Sequence, residues 1–319
     1  MSTELLVDVL GEPYFAEEIE LQPDDEGEVV ATLISRRAAG KPTTRAVLHV
    51  HGFADYFFQT PMADFWTARG YDFYAIDLRK YGRSLMPHQT PNFTLDITAY
   101  YEELDEAYRR ITERDGHDEV LVTAHSTGGL ISPLWLTDHG RDVTGLVLIS
   151  PWLDLQGSLL LRTAGTKAID QVGARRPYQA IPRTINGLYG KALHKDYLGE
   201  WDYNLDWKPI ESYPVYAGWL RAIRRGHARL HRGTDLQSPI LMLSSGRSSH
   251  PREMDDSVSC TDIVLDVEQM WRWAPKLGRH VTLARVEGGI HDLTLSAEPV
   301  RKLVFDQIDR WLTAYVERG

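Results

Sequence analysis

The stretch Val120–Leu130, VLVTAHSTGGL, decides how this chain is read. An apolar run halts at His125-Ser126 and gives way to Gly128-Gly129 and a second apolar segment. That is how a buried strand turning sharply into a helix looks in sequence, with the serine hydroxyl exposed on the bend. The residues two before and two after such a serine must be small, because strand and helix pass close together there. They are Ala124 and Gly128 here, where the usual pattern G-x-S-x-G has two glycines. The competing reading is a glycine-containing bend with no chemistry.

Outward from this stretch the chain alternates short apolar runs with helical segments. EEIELQPDDEGEVVATLISRR (17–37) reads as two extended pieces around an acidic, glycine-containing turn. RAVLHVHG (45–52), YDFYAIDL (71–78), EVLVTAHS (119–126), GLVLIS (145–150), PILMLSS (239–245) and VTLARV (281–286) read as buried strands. Ile97, Tyr101, Leu104, Tyr108 and Ile111 recur at helical spacing. Further helices are expected within 55–69, after Gly128, near 267–277 and over 299–316. Such alternation implies a mostly parallel, eight-stranded α/β sheet with helices on both faces. The beat breaks between residues 155 and 235, so 1–154 and 236–319 form the expected core and 155–235 an insertion.

A chain of 319 residues, 43% hydrophobic, has material for one large core plus such an insertion. The single cysteine, Cys260, excludes an internal disulfide and a cysteine-rich metal site, and suggests a reducing compartment. No signal peptide and no run long enough to span a membrane is visible, so a cytoplasmic location is expected. A net charge of −10 argues against nucleic acid as a partner. The charge is uneven: residues 155–235 hold thirteen Lys and Arg against seven Asp and Glu, leaving −16 for the remainder. That excess reads as a solvated surface or as a positive face for anionic substrates or lipid head groups.

A serine hydroxyl is a poor nucleophile until a base, an orienting acid and oxyanion donors surround it. His291, in VEGGIHDLTLS after the last strand, is the candidate base. In a parallel sheet, groups beyond the carboxyl ends of strands gather on one side, which lets Ser126 and His291 meet. The acid should lie between PILMLSS and His291, among Glu253, Asp255, Asp256, Asp262 and Asp266. Asp262 is favoured because it precedes the helix leading into the final strand. Asp266 is the alternative, and a helix N-cap is the competing duty for either. The amides of Thr127, at a helix start, and Phe53, after His51-Gly52, are the candidate oxyanion donors.

Together these pieces resemble the α/β-hydrolase fold, and within it the monoacylglycerol lipase-like branch, also called lysophospholipase-like or serine aminopeptidase-like. The resemblance rests on His51-Gly52-Phe53, AIDLRKYGRS (75–84), AHSTGG (124–129), TDIVLD (261–266) and GGIHD (288–292), in the family's order. It implies a nucleophile at Ser126, an acid at Asp262, a base at His291, oxyanion amides at Phe53 and Thr127, and a lid at 155–235. Three departures stand out: Ala124 in the turn, Asp55-Tyr56 where many relatives have Glu-His, and a longer stretch from Gly246 to Thr261. DLRKYGRS lacks the glycine spacing and terminal Lys-Ser/Thr of a phosphate loop. It is expected to be a structural turn with Asp77 and Arg79 tied to neighbouring backbone. No His/Cys/Asp spacing suggests a metal, and no cofactor is expected.

The resulting expectation is a serine carboxylic-ester hydrolase working through an acyl-enzyme, on monoacylglycerol or lysophospholipid-like esters. Transient contact with a lipid surface through the lid fits that class. The rivals are a peptidase or acyltransferase on the same residues, and a binding protein that has lost catalysis. Epoxide and haloalkane hydrolysis are disfavoured, since those chemistries want Asp at the nucleophile position. The insertion carries Tyr178, Tyr189, Tyr197, Trp201, Tyr203, Trp207, Tyr213, Tyr216 and Trp219, and Leu159-Leu160-Leu161 near its start. They suit either an acyl site or the insertion's own packing.

Overall fold

The computed structural model describes residues 5–155, 169–182 and 187–317. Nine strands form one sheet: β1 (Leu6–Val7), β2 (Phe15–Asp24), β3 (Gly27–Arg36), β4 (Arg45–Val50), β5 (Asp72–Asp77), β6 (Glu119–His125), β7 (Gly145–Ile149), β8 (Ile240–Ser245) and β9 (Val281–Val286). Their order is β1-β2-β3-β5-β4-β6-β7-β8-β9. The first three strands and the β3–β5 pair are antiparallel, and every later pair is parallel. This is the α/β-hydrolase architecture. The sequence led to eight strands. The ninth is β1, two exposed residues on the sheet edge, too short for any alternation to show.

The central strands are covered on both faces, which is why they read as unbroken apolar runs. Leu48, Val50, Val122 and Leu148 pack with the helices Tyr101–Arg109, Gly128–His139 and Ala217–Leu230. Val47, Leu121, Val147 and Leu241 face the other way, against Met62 and Trp66 of helix Thr60–Ala68 and Ile308 and Trp311 of helix Glu298–Tyr315. Helix Thr60–Ala68 starts five residues after Asp55, because Pro61 suits a first turn and the preceding residues serve the site. The 97–111 face is helical but not uniformly so. It runs from a 3-10 turn through an α-helix into a π-turn at Arg110–Arg114.

The order reverses at β4: β5 lies on one side of it and β6 on the other. Loops leaving the carboxyl ends of β4 and β6 therefore part around a crevice, where α/β sheets place their ligand chemistry. Residues 155–235 leave after β7 and return before β8. Their helix Ala217–Leu230 buries Trp219, Ala222 and Ile223 in the main core. Tyr203 and Leu193 instead join Tyr56, Phe58, Ile290 and Leu295 in a separate cluster. Leu159-Leu160-Leu161 lie outside the described residues.

Candidate active site

Ser126 stands on the turn between β6 and the helix Gly128–His139, at φ +51°, a left-handed conformation that side chains rarely adopt. The turn holds it there. Its amide donates to the Ile149 carbonyl at 3.1 Å, and its carbonyl accepts from Gly129 at 3.0 Å and Trp152 at 2.9 Å. Gly128 has no room for a side chain, since a Cβ would meet the Val50 and His51 carbonyl oxygens at 2.5 and 2.6 Å. Ala124 is fully buried in the sheet, paired with Val50 and Leu148. At that position the strand accommodates a methyl group, so the missing glycine costs the turn nothing in space.

His291, Ser126 and Asp262 come together. His291 Nε2 lies 3.0 Å from Ser126 Oγ, and Nδ1 lies 2.9 Å from Asp262 Oδ2. A carboxylate only accepts, so Nδ1 carries the proton and Nε2 is the acceptor for the serine hydroxyl. Asp262 is fully buried; its Oδ1 accepts from the amides of Val264 (2.9 Å) and Leu265 (2.8 Å). An isolated parallel bridge from Ser248 to Asp262 pins this residue beside the end of β8. The long Gly246–Thr261 stretch is thus an excursion that closes on itself. Asp266 is used otherwise: it caps helix Val267–Trp273 through the Glu268 amide at 3.0 Å. Glu253, Asp255 and Asp256 are exposed on the excursion.

Phe53 and Thr127 border the same cavity as Ser126 and His291. Among the described residues neither amide is taken by an acceptor. Gly52 permits the approach, since a Cβ there would stand 3.0 Å from that of Ser126. His51 locks the loop: its Nε2 accepts the Leu78 amide at 3.0 Å, so Nδ1 donates to the Gly52 carbonyl at 2.7 Å. In DLRKYGRS, Asp77 does bind backbone, at Phe57 and Arg83, and also the Arg83 guanidinium. Arg79 departs from the expectation. Its guanidinium pairs with the carboxylates of Glu102 and Glu103, a charge pairing that backbone alone would not supply.

The cavity has a volume of about 530 Å³. One wall is aromatic: Phe53 lies 4.3 Å from Trp219 between ring centroids, and Trp219 lies 5.8 Å from Trp152. The lining also includes Tyr189, Tyr203, Lys208 and Asp55. The insertion's aromatics therefore divide. Tyr189, Tyr203 and Trp219 line the cavity, whereas Trp201 and Trp207 pack in the separate cluster, Tyr178 and Tyr216 pack on Phe93, Tyr213 bonds the Asp206 carbonyl and Tyr197 is half exposed. Part of its positive charge is paired: Arg224 with Asp154, Arg221 with Asp170, Arg229 with Asp138, Lys195 with Asp202 and Lys208 with Asp55.

Behind the histidine, oxygen and nitrogen atoms of Asp55, His125 and Asp292 lie within 4.8 Å of one another, all buried. Such a trio could hold a cation, and Asp55 already pairs with the Lys208 ammonium at 2.8 Å. Burial alone would raise the Asp55 pKa, but attraction to Lys208, His125 and His51 holds it well below the usual carboxylate range. Burial pushes the His125 pKa down. The sequence reading missed this group because its members come from three distant stretches, and it missed Trp152 because that residue lies in the short stretch between β7 and the insertion. The one available signal was Asp55-Tyr56, noted only as a departure.

A serine on a strained strand-to-helix turn, hydrogen-bonded to a histidine that is itself held by a buried aspartate, defines a serine hydrolase of the α/β fold. Residues 41–297 match the family of serine aminopeptidases, S33, and the chain belongs to that family. Among solved structures it is similar to a soluble variant of monoglyceride lipase from Saccharomyces cerevisiae, in complex with a substrate analogue, at 15% identity and TM-score 0.65 over 93% of this chain and 95% of that one. It is similar to the monoacylglycerol lipase of Paleococcus ferrophilus at 17% identity and TM-score 0.64, over 89% of this chain and 99% of that one. A thermostable carboxyl esterase from Bacillus coagulans, in complex with glycerol, matches at 14% identity and TM-score 0.69 over 94% of this chain and 99% of that one. No curated protein matches the sequence. Among the described residues no helix is long and apolar enough to cross a membrane.

Proposed function

We propose that the protein is a serine carboxylic-ester hydrolase working through an acyl-enzyme, with monoacylglycerol-like esters as its substrate class. The observation that carries this is the hydrogen-bonded line Asp262–His291–Ser126 opening on the cavity. Ser126 Oγ attacks the acyl carbon as His291 Nε2 takes its proton, and Asp262 stabilises the imidazolium. The oxyanion is received by the amides of Phe53 and Thr127, the latter at a helix N-terminus. His291 returns the proton to the departing alcohol. It then deprotonates water, which adds to the acyl carbon and releases the acid as Ser126 regains its proton. Residues 155–235 serve as the lid, and its closure keeps water from the acyl group.

The cavity favours an uncharged ester. The acidic side chain among its described lining residues is Asp55, which is already paired with Lys208. An aminopeptidase needs an unpaired carboxylate for the substrate's ammonium group, and an anionic head group needs an unpaired cation. The aromatic wall suits an acyl chain, and the neighbouring structures act on or bind the same ester class by name. Ser126→Ala should abolish turnover of p-nitrophenyl esters while leaving the fold intact. Retained activity would remove Ser126 from the reaction. Comparing esters with aminoacyl amides, and water with alcohol acceptors, separates hydrolase from peptidase and acyltransferase.

A further inference from the structure

The insertion grips the oxyanion loop at three successive residues. Lys208 Nζ donates to Asp55 Oδ1 at 2.8 Å and to the Ala54 carbonyl at 3.4 Å. The Tyr56 hydroxyl accepts the Asn204 amide at 2.7 Å, and its ring meets Trp207 edge-on, 5.2 Å between centroids. Ala54, directly after Phe53, sits at φ +49°. A non-glycine residue stays in that region only where its surroundings hold it. Lys208 supplies part of that hold and is itself mostly buried, its ammonium near the faces of Phe58 and Tyr203.

We propose that Lys208 is a positioning residue for the oxyanion site. By pairing with Asp55 and binding the Ala54 carbonyl, it fixes the Phe53 amide over Ser126 when segment 203–208 closes the cavity. Lid position and transition-state stabilisation are then one equilibrium. With the segment displaced, Ala54 can leave its strained conformation and the Phe53 amide turns away. The inference rests on Ser126 being the nucleophile.

The test compares Lys208→Met, Lys208→Arg and the double variant Lys208→Met/Asp55→Asn with the unaltered chain. The double variant removes both charges and leaves no buried carboxylate unpaired, which is the cause by which the single variant could fail to fold. Steady-state kinetics on a p-nitrophenyl ester are read beside inhibition by a trifluoromethyl ketone, whose serine adduct carries the oxyanion. The double variant should lose about ten- to hundredfold in kcat with KM within about threefold, and the ketone should weaken in parallel. Lys208→Arg should recover much of both. Lys195→Met, which breaks the exposed pair with Asp202 just before that segment, should change neither. A folded double variant with unaltered kcat and ketone affinity, or one altered in KM alone, overturns the proposal. Labelling by a fluorophosphonate separates the two readings. Failure of the unaltered chain to label at Ser126 would take down the nucleophile and this inference together, whereas labelling with no Lys208 effect takes down this inference alone.

Discussion

Asp262 and Asp266 stand four residues apart and do different work: one holds the His291 ring at 2.9 Å, the other caps a helix at the Glu268 amide. Both are aspartates beside a helix start, so the sequence favours Asp262 as the acid only through its place before the helix and keeps Asp266 as the alternative. Asp262→Asn should lower kcat by about a thousand- to ten-thousandfold, because an amide no longer selects the tautomer with the proton on Nδ1. Asp266→Ala should leave kcat unchanged and cost about 1 kcal/mol of stability, as lost helix caps do. Kinetics and chemical denaturation of the two variants check both halves. A large activity loss in Asp266→Ala would reverse the assignment.

The turn makes its own forecast. Ala124→Gly should keep full activity, losing about 0.5–1 kcal/mol of strand stability. Ala124→Val overfills a position enclosed by β4 and β7, at about 1–3 kcal/mol. Gly128→Ala is the severe change, because the new methyl would lie 2.5 Å from a β4 carbonyl. It should abolish activity even where folded protein is recovered. Circular dichroism and ester turnover on the three variants rank them; an active Gly128→Ala would contradict the geometry.

On the proposed function, the aromatic wall receives the acyl group. Trp219 lies between Phe53 and Trp152 and borders the cavity. Trp219→Leu should shift preference towards longer or bulkier acyl groups. A p-nitrophenyl ester series from acetyl to dodecanoyl would reveal it, and an unchanged profile would place the acyl chain elsewhere.

Acid should weaken the fold ahead of the carboxylates. His49 is buried beside Thr123, and burial pushes its pKa down to about 3. The unfolded chain takes up that proton near pH 6.5 and the folded one only near 3. The stability from neutral His49 is therefore complete above about pH 6.5. It falls by up to about 1.4 kcal/mol per pH unit as the pH drops towards 3. Burial shifts His227 the same way. Thermal unfolding between pH 7.5 and 4.5 should show the slope, and His49→Asn, which preserves a polar contact to Thr123, should flatten it. A melting temperature constant across that range would show that these histidines are not held neutral.

What was legible in the sequence follows from local causes. The strands buried on both faces announced themselves as apolar runs, and Ser126 and His291 as polar residues at strand ends. β1 was not legible, because two exposed residues carry no period. The fate of Arg79 was not legible either, since Glu102 and Glu103 reach it from a helix beginning two dozen residues away. The Lys208–Asp55 pair spans 153 residues. Pairings of that reach depend on how the insertion folds back, and no spacing records them.

The bridge between Ser248 and Asp262 has a practical side. It ties off residues 249–261 at their neck, which holds Asp262 in place beside the end of β8 while the tip of the loop lies outside. The outer stretch from Glu253 to Asp256 is exposed. A peptide tag or a whole reporter domain spliced in after Met254 would extend the loop outward, leaving the neck to keep Asp262 in register. The exposed tip of the excursion is a port for fusion, close to the chemistry along the chain and held back from it by the neck.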